Sequence, residues 1–189
     1  MPGLGLRAPD PELRDHRVTL RVLADRDVPG FLAGLRDPAI ARFAYAGRLA
    51  ADQASVQEYI DRVPARLASG DALLLAVLDA ETGTFCGKTM LFGVDWDQRS
   101  AEIGFWLSPA ARGRGLAARA VALTVRWAFD DLALERVQGL TDIENEPAQQ
   151  VMVRVGFYRE GILRGLERRS QGRADMISYS LLSTDEIRA

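Results

Sequence analysis

From Ala101 to Phe129 the chain reads AEIGFWLSPAARGRGLAARAVALTVRWAF, and no other stretch narrows the fold as far. Its first seven residues, set off by the polar turn Asp97 to Ser100, read as a strand whose alternation is only partial. Ser108 and Pro109 end the alternation, and two glycines, Gly113 and Gly115, follow between Arg112 and Arg114. Leu116, Ala120, Leu123 and Trp127 then recur at helical spacing, which predicts a helix over about Gly115 to Phe129. A strand that runs through a basic glycine turn into a long helix belongs to an α/β chain. The turn also has a chemistry. The first amides of a helix lack partners inside it and carry the positive end of its dipole. Glycine lets a ligand approach that backbone closely. Together these features make a place for phosphate or pyrophosphate, with Arg112 and Arg114 as sources of charge-assisted hydrogen bonds.

The rest of the chain supports this reading. Arg17 to Leu23 alternates as a strand, and Asp25 or Asp27 offers an N-cap for a helix through Leu35. A second helix is expected over Asp52 to Ala68, with a kink or break at Pro64. Ala72 to Leu78, Phe85 to Trp96 and Ala101 to Leu107 are strands separated by short polar turns, an antiparallel meander. After the long helix come a strand near Arg136 to Thr141 and a helix over Pro147 to Val155, closed by Gly156. Strands at Phe157 to Leu163 and Met176 to Leu182 end the pattern. The order predicts one mixed, twisted sheet of about seven strands flanked by about four helices. Residues 1–16 read as a flexible tail, 17–183 as a single domain and 184–189 as a C-terminal tail.

Composition limits the function classes. A net charge of −2 over 189 residues argues against a general nucleic-acid binder. Local basic groups remain at Arg112 and Arg114 and at Arg164, Arg168, Arg169 and Arg173. No apolar run approaches the roughly 20 residues of a membrane span. Cys86 is the only cysteine, so no internal disulfide forms and a reducing cytoplasm fits. One histidine, His16, and one cysteine do not assemble an ordinary zinc site, so no metal is expected. Lys88 is the only lysine among 24 basic residues, which reads as composition.

Arg112-Gly113-Arg114-Gly115-Leu116-Ala117 resembles the cofactor loop of the GNAT acetyltransferases: Gln or Arg, two variable residues, Gly, a variable residue, then Gly or Ala. The segment Asn145-Glu146-Pro147-Ala148-Gln149-Gln150-Val151, followed by Arg154-Val155-Gly156-Phe157 and Glu160-Gly161-Ile162-Leu163-Arg164, resembles the second signature of that family. It is most similar to the branch that acetylates ribosomal-protein N-termini (the Rim type). Asp175 and Tyr179-Ser180-Leu181-Leu182 resemble the ending of that branch, so the likeness spans about residues 17 to 183.

The resemblance implies acetyl-CoA as acyl donor and a primary amine, a small molecule or a protein N-terminus, as acceptor. Transfer would be direct, without an enzyme nucleophile. The loop amides of residues 112–117 would hold the CoA pyrophosphate. The strand Ile103 to Leu107, with Phe105, Trp106 and Leu107 nearest the loop, would pair with the pantetheine arm, and a bulge there would aim an N–H at the thioester carbonyl. Asn145, Ala148 and Met152, at the start of and along the Pro147 to Val155 helix, would line the arm. The family also allows a homodimer through C-terminal strands or edges, for which the apolar run Ile177 to Leu182 is the sequence support. Neither nucleic acid nor membrane is an expected partner.

Two positions depart from the family pattern. Ala148 stands where the ribosomal branch often has serine. Met152 stands where many GNAT enzymes have the tyrosine that protonates the CoA thiolate. The general acid is therefore missing at both, which gives some weight to an alternative, a non-catalytic CoA-binding sensor. Tyr158 and Tyr179, read as packing residues, are the fallback acids. Glu102 is the candidate base, acting through water, and its bland alternative is an ordinary strand carboxylate. Gly113 to Ala118 also fits a dinucleotide fingerprint, but Ser108 to Ala111 separates it from the strand and a meander precedes it. Trp96 and Trp106 are candidates for an acceptor pocket or for packing. Acidic groups at Asp37, Asp52, Glu58 and Asp61, interleaved with Arg42, Arg48, Arg62 and Arg66, are expected to draw a cationic amine toward Glu102.

Overall fold

A computed structural model describes residues 5–44, 49–169 and 172–189. Its elements follow the predicted order: β1 (Leu13–Arg14), β2 (Val18–Val22), α1 (Val28–Leu35), α2 (Pro38–Phe43), α3 (Gln53–Asp61), α4 (Val63–Ala68), β3 (Ala72–Asp79), β4 (Phe85–Asp95), β5 (Ser100–Leu107), α5 (Leu116–Asp130), β6 (Arg136–Asp142), α6 (Glu146–Val155), β7 (Tyr158–Arg169) and β8 (Gly172–Leu182). The strands form one mixed sheet in the order β1-β2-β3-β4-β5-β6-β8-β7. All neighbours are antiparallel except β5 and β6.

Strand alternation sends side chains to two cores. β3 shows this best, being buried at every position. Its Leu73, Leu75 and Val77 join Ile103, Leu116, Val121, Val125 and Met152 under α5 and α6. Its Leu74, Ala76 and Leu78 join Phe31, Ile60, Met90 and Trp106 under α1, α3 and α4. Each fully buried leucine stabilises by roughly 1.5–3 kcal/mol.

Three differences from the sequence reading have physical causes. Part of the expected tail belongs to the sheet: Leu13 and Arg14 pair with Leu20 and Thr19, and Leu6 is buried. This strand makes eight where about seven were expected. The described helices number six where about four were expected. One of the extra two is α2, opened by Asp37, whose carboxylate accepts from Ile40 N, and by Pro38 at N1. The other arises because the Asp52 to Ala68 helix breaks at Arg62, with Pro64 in the first turn of α4. Finally, the Ile177 to Leu182 run is mostly internal: Ile177, Tyr179 and Leu181 are buried and only Leu182 is exposed among its apolar members. The apolar side chains left exposed on this edge are instead Tyr158, Ile162, Leu163 and Leu166 of β7.

Candidate active site

The two edges of β5 are held unequally. Against β4 its register is unbroken from Leu107↔Gly87 to Glu102↔Phe92. Against β6 only Ser100↔Arg136, Ala101↔Val137 and Glu102↔Gln138 are paired. Beyond Glu102 and Gln138 the two parallel strands diverge into a wedge. Alternate backbone groups of Ile103 to Leu107 face that wedge without a strand partner. The bulge expected within Ile103 to Leu107 does not occur in the β4–β5 ladder; the register shift lies between Phe92 and Asp95, opposite the strand's beginning.

The glycine loop closes the wide end of the wedge. Gly113 and Gly115 have φ of 72° and 76°, the left-handed region that side chains disfavour. A β-carbon at Gly113 would meet nothing within 4 Å, so conformation, not space, selects glycine there. Gly115 is the N-cap of α5 and carries no side-chain cap, so the amides of Leu116, Ala117 and Ala118 begin the helix uncapped. The two arginines are engaged elsewhere. Arg112 forks onto the Asp37 carboxylate at 2.6 and 3.4 Å and donates to Leu107 O. Arg114 pairs with Asp79. The Arg112 hydrogen bond holds the Asp37 carboxyl below its usual range, and Arg114 brings Asp79 down to about 2. The arginines thus pin the loop to α2 and β3, and its anion-binding capacity rests on amides and helix dipole.

Glu102 lies at the apex of the wedge, half-buried. It shares the α1–α4 face of the sheet with Gly104 and Trp106 by strand alternation. Burial pushes its carboxyl above the ordinary glutamate range, against a hydrogen bond from Gln138 that opposes the shift. A carboxylate made more basic by desolvation, at the apex of an open groove, suits general-base work.

α6 runs back along β6 on the other face. Asn145 caps it by accepting from Ala148 N at 3.3 Å. Ala148 and Met152 are one turn apart, and Met152 is buried at 1% exposure. A methyl group at Gly139 of β6 would collide with the Met152 side chain, so Gly139 is what lets α6 lie this close. The face of α6 toward the wedge therefore presents a methyl group and a thioether. Tyr179 is buried, whereas Tyr158 is 72% exposed and packs little.

Other predicted groups are placed differently from expectation. Trp106 is buried, edge-on to Phe31 at 5.1 Å and near Phe85 at 6.0 Å; it packs, and only its backbone borders the wedge. Glu58 pairs with Arg62, and Asp61 accepts from Gln57, which also bonds Asp25. Asp52 caps α3. Arg48 lies outside the described residues. Further carboxylates come from the C-terminal half. Asp142 and Glu167 share Arg169, and Glu144 of the β6–α6 loop pairs with Arg42 of α2 across the open side. Of the proposed basic patch, Arg169 is thus neutralised and Arg173 donates to the Gly165 carbonyl.

Sequence reasoning missed Gln138 and Asp79 as partners of the site, and it read Asp37 as an acid of the acceptor side where the structure pairs it with Arg112. Asp37-Pro38 carries a helix-start signature that fits its place as the cap of α2. It also read Lys88 as composition. Lys88 is 2% exposed, donates to Tyr59 Oη at 2.7 Å and approaches Met90 Sδ at 3.3 Å. Burial, with a smaller contribution from Arg66, brings its ammonium down to about 7.

Comparison with known proteins places the chain in a family. Residues 17–158 match the sequence profile of the acetyltransferase (GNAT) domain. The chain is 33% identical over 103 residues to YdaF of Bacillus subtilis (strain 168), named as a candidate ribosomal N-acetyltransferase; the match covers 54% of this chain and 56% of YdaF, about half its length. It is 25% identical over 173 residues to the uncharacterised N-acetyltransferase p20 of Bacillus licheniformis, across 92% of this chain and 97% of that one. In fold it resembles Mycobacterium smegmatis RimJ, solved in complex with CoA-disulfide, with a TM-score of 0.80 at 23% identity over 87% of this chain and 81% of RimJ. The likeness read from the two motifs and the match to the domain profile coincide: the chain belongs to the GNAT family of acetyltransferases.

Proposed function

We propose that this protein transfers an acetyl group from acetyl-CoA to a primary amine, a protein N-terminus or a small molecule. The observation that carries the reading is the wedge between β5 and β6, with a half-buried carboxylate at its apex and an uncapped helix N-terminus at its mouth. The pyrophosphate would sit on the amides at Gly113 to Ala117, and the pantetheine arm would complete the unpaired edge of Ile103 to Leu107, adding a strand-like partner.

The chain's own groups supply the rest. Glu102, through a water, takes the proton that the acceptor ammonium must lose before the neutral amine can attack; an α-amino group near pKa 8 gives it up more readily than a lysine near 10.4. A wedge-facing N–H of β5 is placed to stabilise charge developing on the thioester oxygen. Alignment of amine and thioester contributes further, with effective molarities for such placement of about 10⁵–10⁸ M. No hydroxyl stands at residues 148 or 152, but a thiolate is a good leaving group and accepts its proton from water. Homodimer formation through β7, with its exposed Ile162, Leu163 and Leu166, is part of this proposal.

A CoA-release assay over a panel of peptide N-termini, polyamines and other amines tests the reading. Acetyl-CoA-dependent release with at least one amine, lost in Glu102→Gln, is expected. Tight acetyl-CoA binding with no release from any amine would favour the sensor alternative.

A further inference from the structure

The arginines of the glycine loop and of the first turn of α5 are all paired. Arg112 holds Asp37, Arg114 holds Asp79, and Arg119 holds Asp15 at 2.8 Å. A further guanidinium reaches the same place from another helix. Arg154 stands in the last turn of α6, and its Nη2 lies 3.9 Å from the point that a β-carbon on Gly115 would occupy. Arg154 is exposed and makes no hydrogen bond or ion pair among the described residues. Glu186, whose carbonyl abuts Gly156 at the same helix end, is paired with Arg188. The helix that carries Arg154 is itself well held: Met152 and Val155 are buried in the core beneath it, and Gly156 closes it in the left-handed conformation.

We infer that Arg154 supplies the cationic contact to the phosphates of CoA at the glycine loop, and that Arg112 and Arg114 do not. The inference rests on the CoA site proposed above. The uncapped amides at the start of α5 and the helix dipole favour an anion there. A free guanidinium beside them adds a forked, charge-assisted donor. Arg112 and Arg114 would each have to release a carboxylate before meeting a phosphate, whereas Arg154 has only water to displace. The pyrophosphate and the 3′-phosphate of CoA offer the same chemistry to this group, and the test tells them apart.

The bland role for Arg154 is a basic side chain that complements the carbonyl end of α6. That role acts on the stability of the helix, whereas the inferred one acts on ligand affinity, so the two separate in measurement. Arg126 supplies an internal control. It too is exposed and without a partner among the described residues, and it lies roughly 15 Å along α5 from Leu116.

The test uses Arg154→Gln, Arg154→Lys and Arg126→Gln in the full chain. Affinities for acetyl-CoA and for its 3′-dephospho form are measured by calorimetry, with melting temperature taken without ligand. Arg154→Gln should weaken acetyl-CoA binding about three- to tenfold, between the worth of an exposed ion pair and that of a hydrogen bond to a charged group. It should also flatten the fall of affinity with salt. Arg154→Lys keeps the charge without the fork and should recover part of the loss. Arg126→Gln should bind as wild type. Weakening of both ligands alike by Arg154→Gln assigns the contact to the pyrophosphate, and weakening of acetyl-CoA alone assigns it to the 3′-phosphate. Wild-type affinity for acetyl-CoA in Arg154→Gln overturns the inference and leaves the helix-end role. Equal weakening in Arg126→Gln also overturns it, by showing that net charge alone matters. If wild type itself does not bind acetyl-CoA, the underlying site proposal fails first.

Discussion

The two edges of β5 carry the same backbone chemistry and are used in opposite ways. Toward β4 the ladder is complete, and the side chains beside it are buried leucines, Met90 and Trp106. Toward β6 the ladder stops at Glu102, and backbone that a sheet would normally satisfy faces an opening. One edge gives the strand its position and the other leaves it something to bind with. Both are needed: an open edge on a poorly held strand would close or fray, and a strand paired on both sides would hold no substrate. The glycine loop repeats the division, since Arg112 and Arg114 anchor it through Asp37 and Asp79 while its amides stay uncapped.

The largest expected effect strikes the apex of the open edge. Glu102→Gln should lower kcat by about 10²- to 10⁴-fold with a smaller change in KM for acetyl-CoA. Because burial raises the Glu102 carboxyl, its base form appears only above the usual glutamate range. Activity of the wild type should therefore rise with pH through that region, and the variant should lose this acidic limb. The sign for stability is opposite: an acid whose folded pKa is raised costs stability once ionised, so the variant should be no less stable at pH 7. Wild-type turnover in Glu102→Gln would leave that carboxylate an ordinary strand residue.

Gly115→Asp should come next, with acetyl-CoA affinity falling by tens to hundreds of fold, the loss of one or two hydrogen bonds to a charged group plus direct repulsion. Aspartate tolerates the left-handed conformation better than most residues and is a good N-cap, so helicity by circular dichroism should be kept. Unchanged affinity would mean the loop is not the phosphate site.

On the closed side the effects should be smaller and fall on stability or position. Asp37→Ala removes the cap of α2 and the partner of Arg112 together. We expect a loss of about 1 kcal/mol from the cap and a rise of a few fold in KM for acetyl-CoA, with kcat little changed. Lys88→Met replaces a buried ammonium by an apolar chain of similar length. In the folded chain Lys88 loses its proton near 7, whereas unfolded it holds it to about 10.4. Between those values the unfolded state binds more protons, so wild-type stability should rise with pH there. The variant should melt about 2–8 °C higher at pH 7 and lose that slope. A lower melting temperature would give the Lys88–Tyr59 pair a net stabilising role.

The fold was largely legible because local signals and tertiary demands agree. Alternation marked β2, an apolar run marked β3, short polar turns set off β4 and β5, the Leu116–Trp127 spacing marked α5, and Gly156, at φ 109°, marked the end of α6. The glycine turn before α5 was legible for the same reason: Gly113 and Gly115 do adopt conformations that glycine favours. What was hidden depends on pairing across distance. No local pattern announces that β5 and β6 separate after Glu102, that Arg112 turns to a carboxylate 75 residues earlier, or that Asp142 shares the face of Glu102. Charge in the Arg36–Ser69 segment was visible, but its direction was not, because Glu58 and Asp61 satisfy local partners. A two-residue strand such as Leu13–Arg14 offers too few positions for a period to show.

The contrast between the edges of β5 can be read directly by hydrogen exchange with and without acetyl-CoA. Exchange into the wedge-facing amides of Ile103 to Leu107 and into Leu116 to Ala118 should slow on binding, while Leu73 to Val77 of β3, already buried and paired, should not change. Protection confined to other segments, with acetyl-CoA demonstrably bound, would contradict the wedge as the site of the donor.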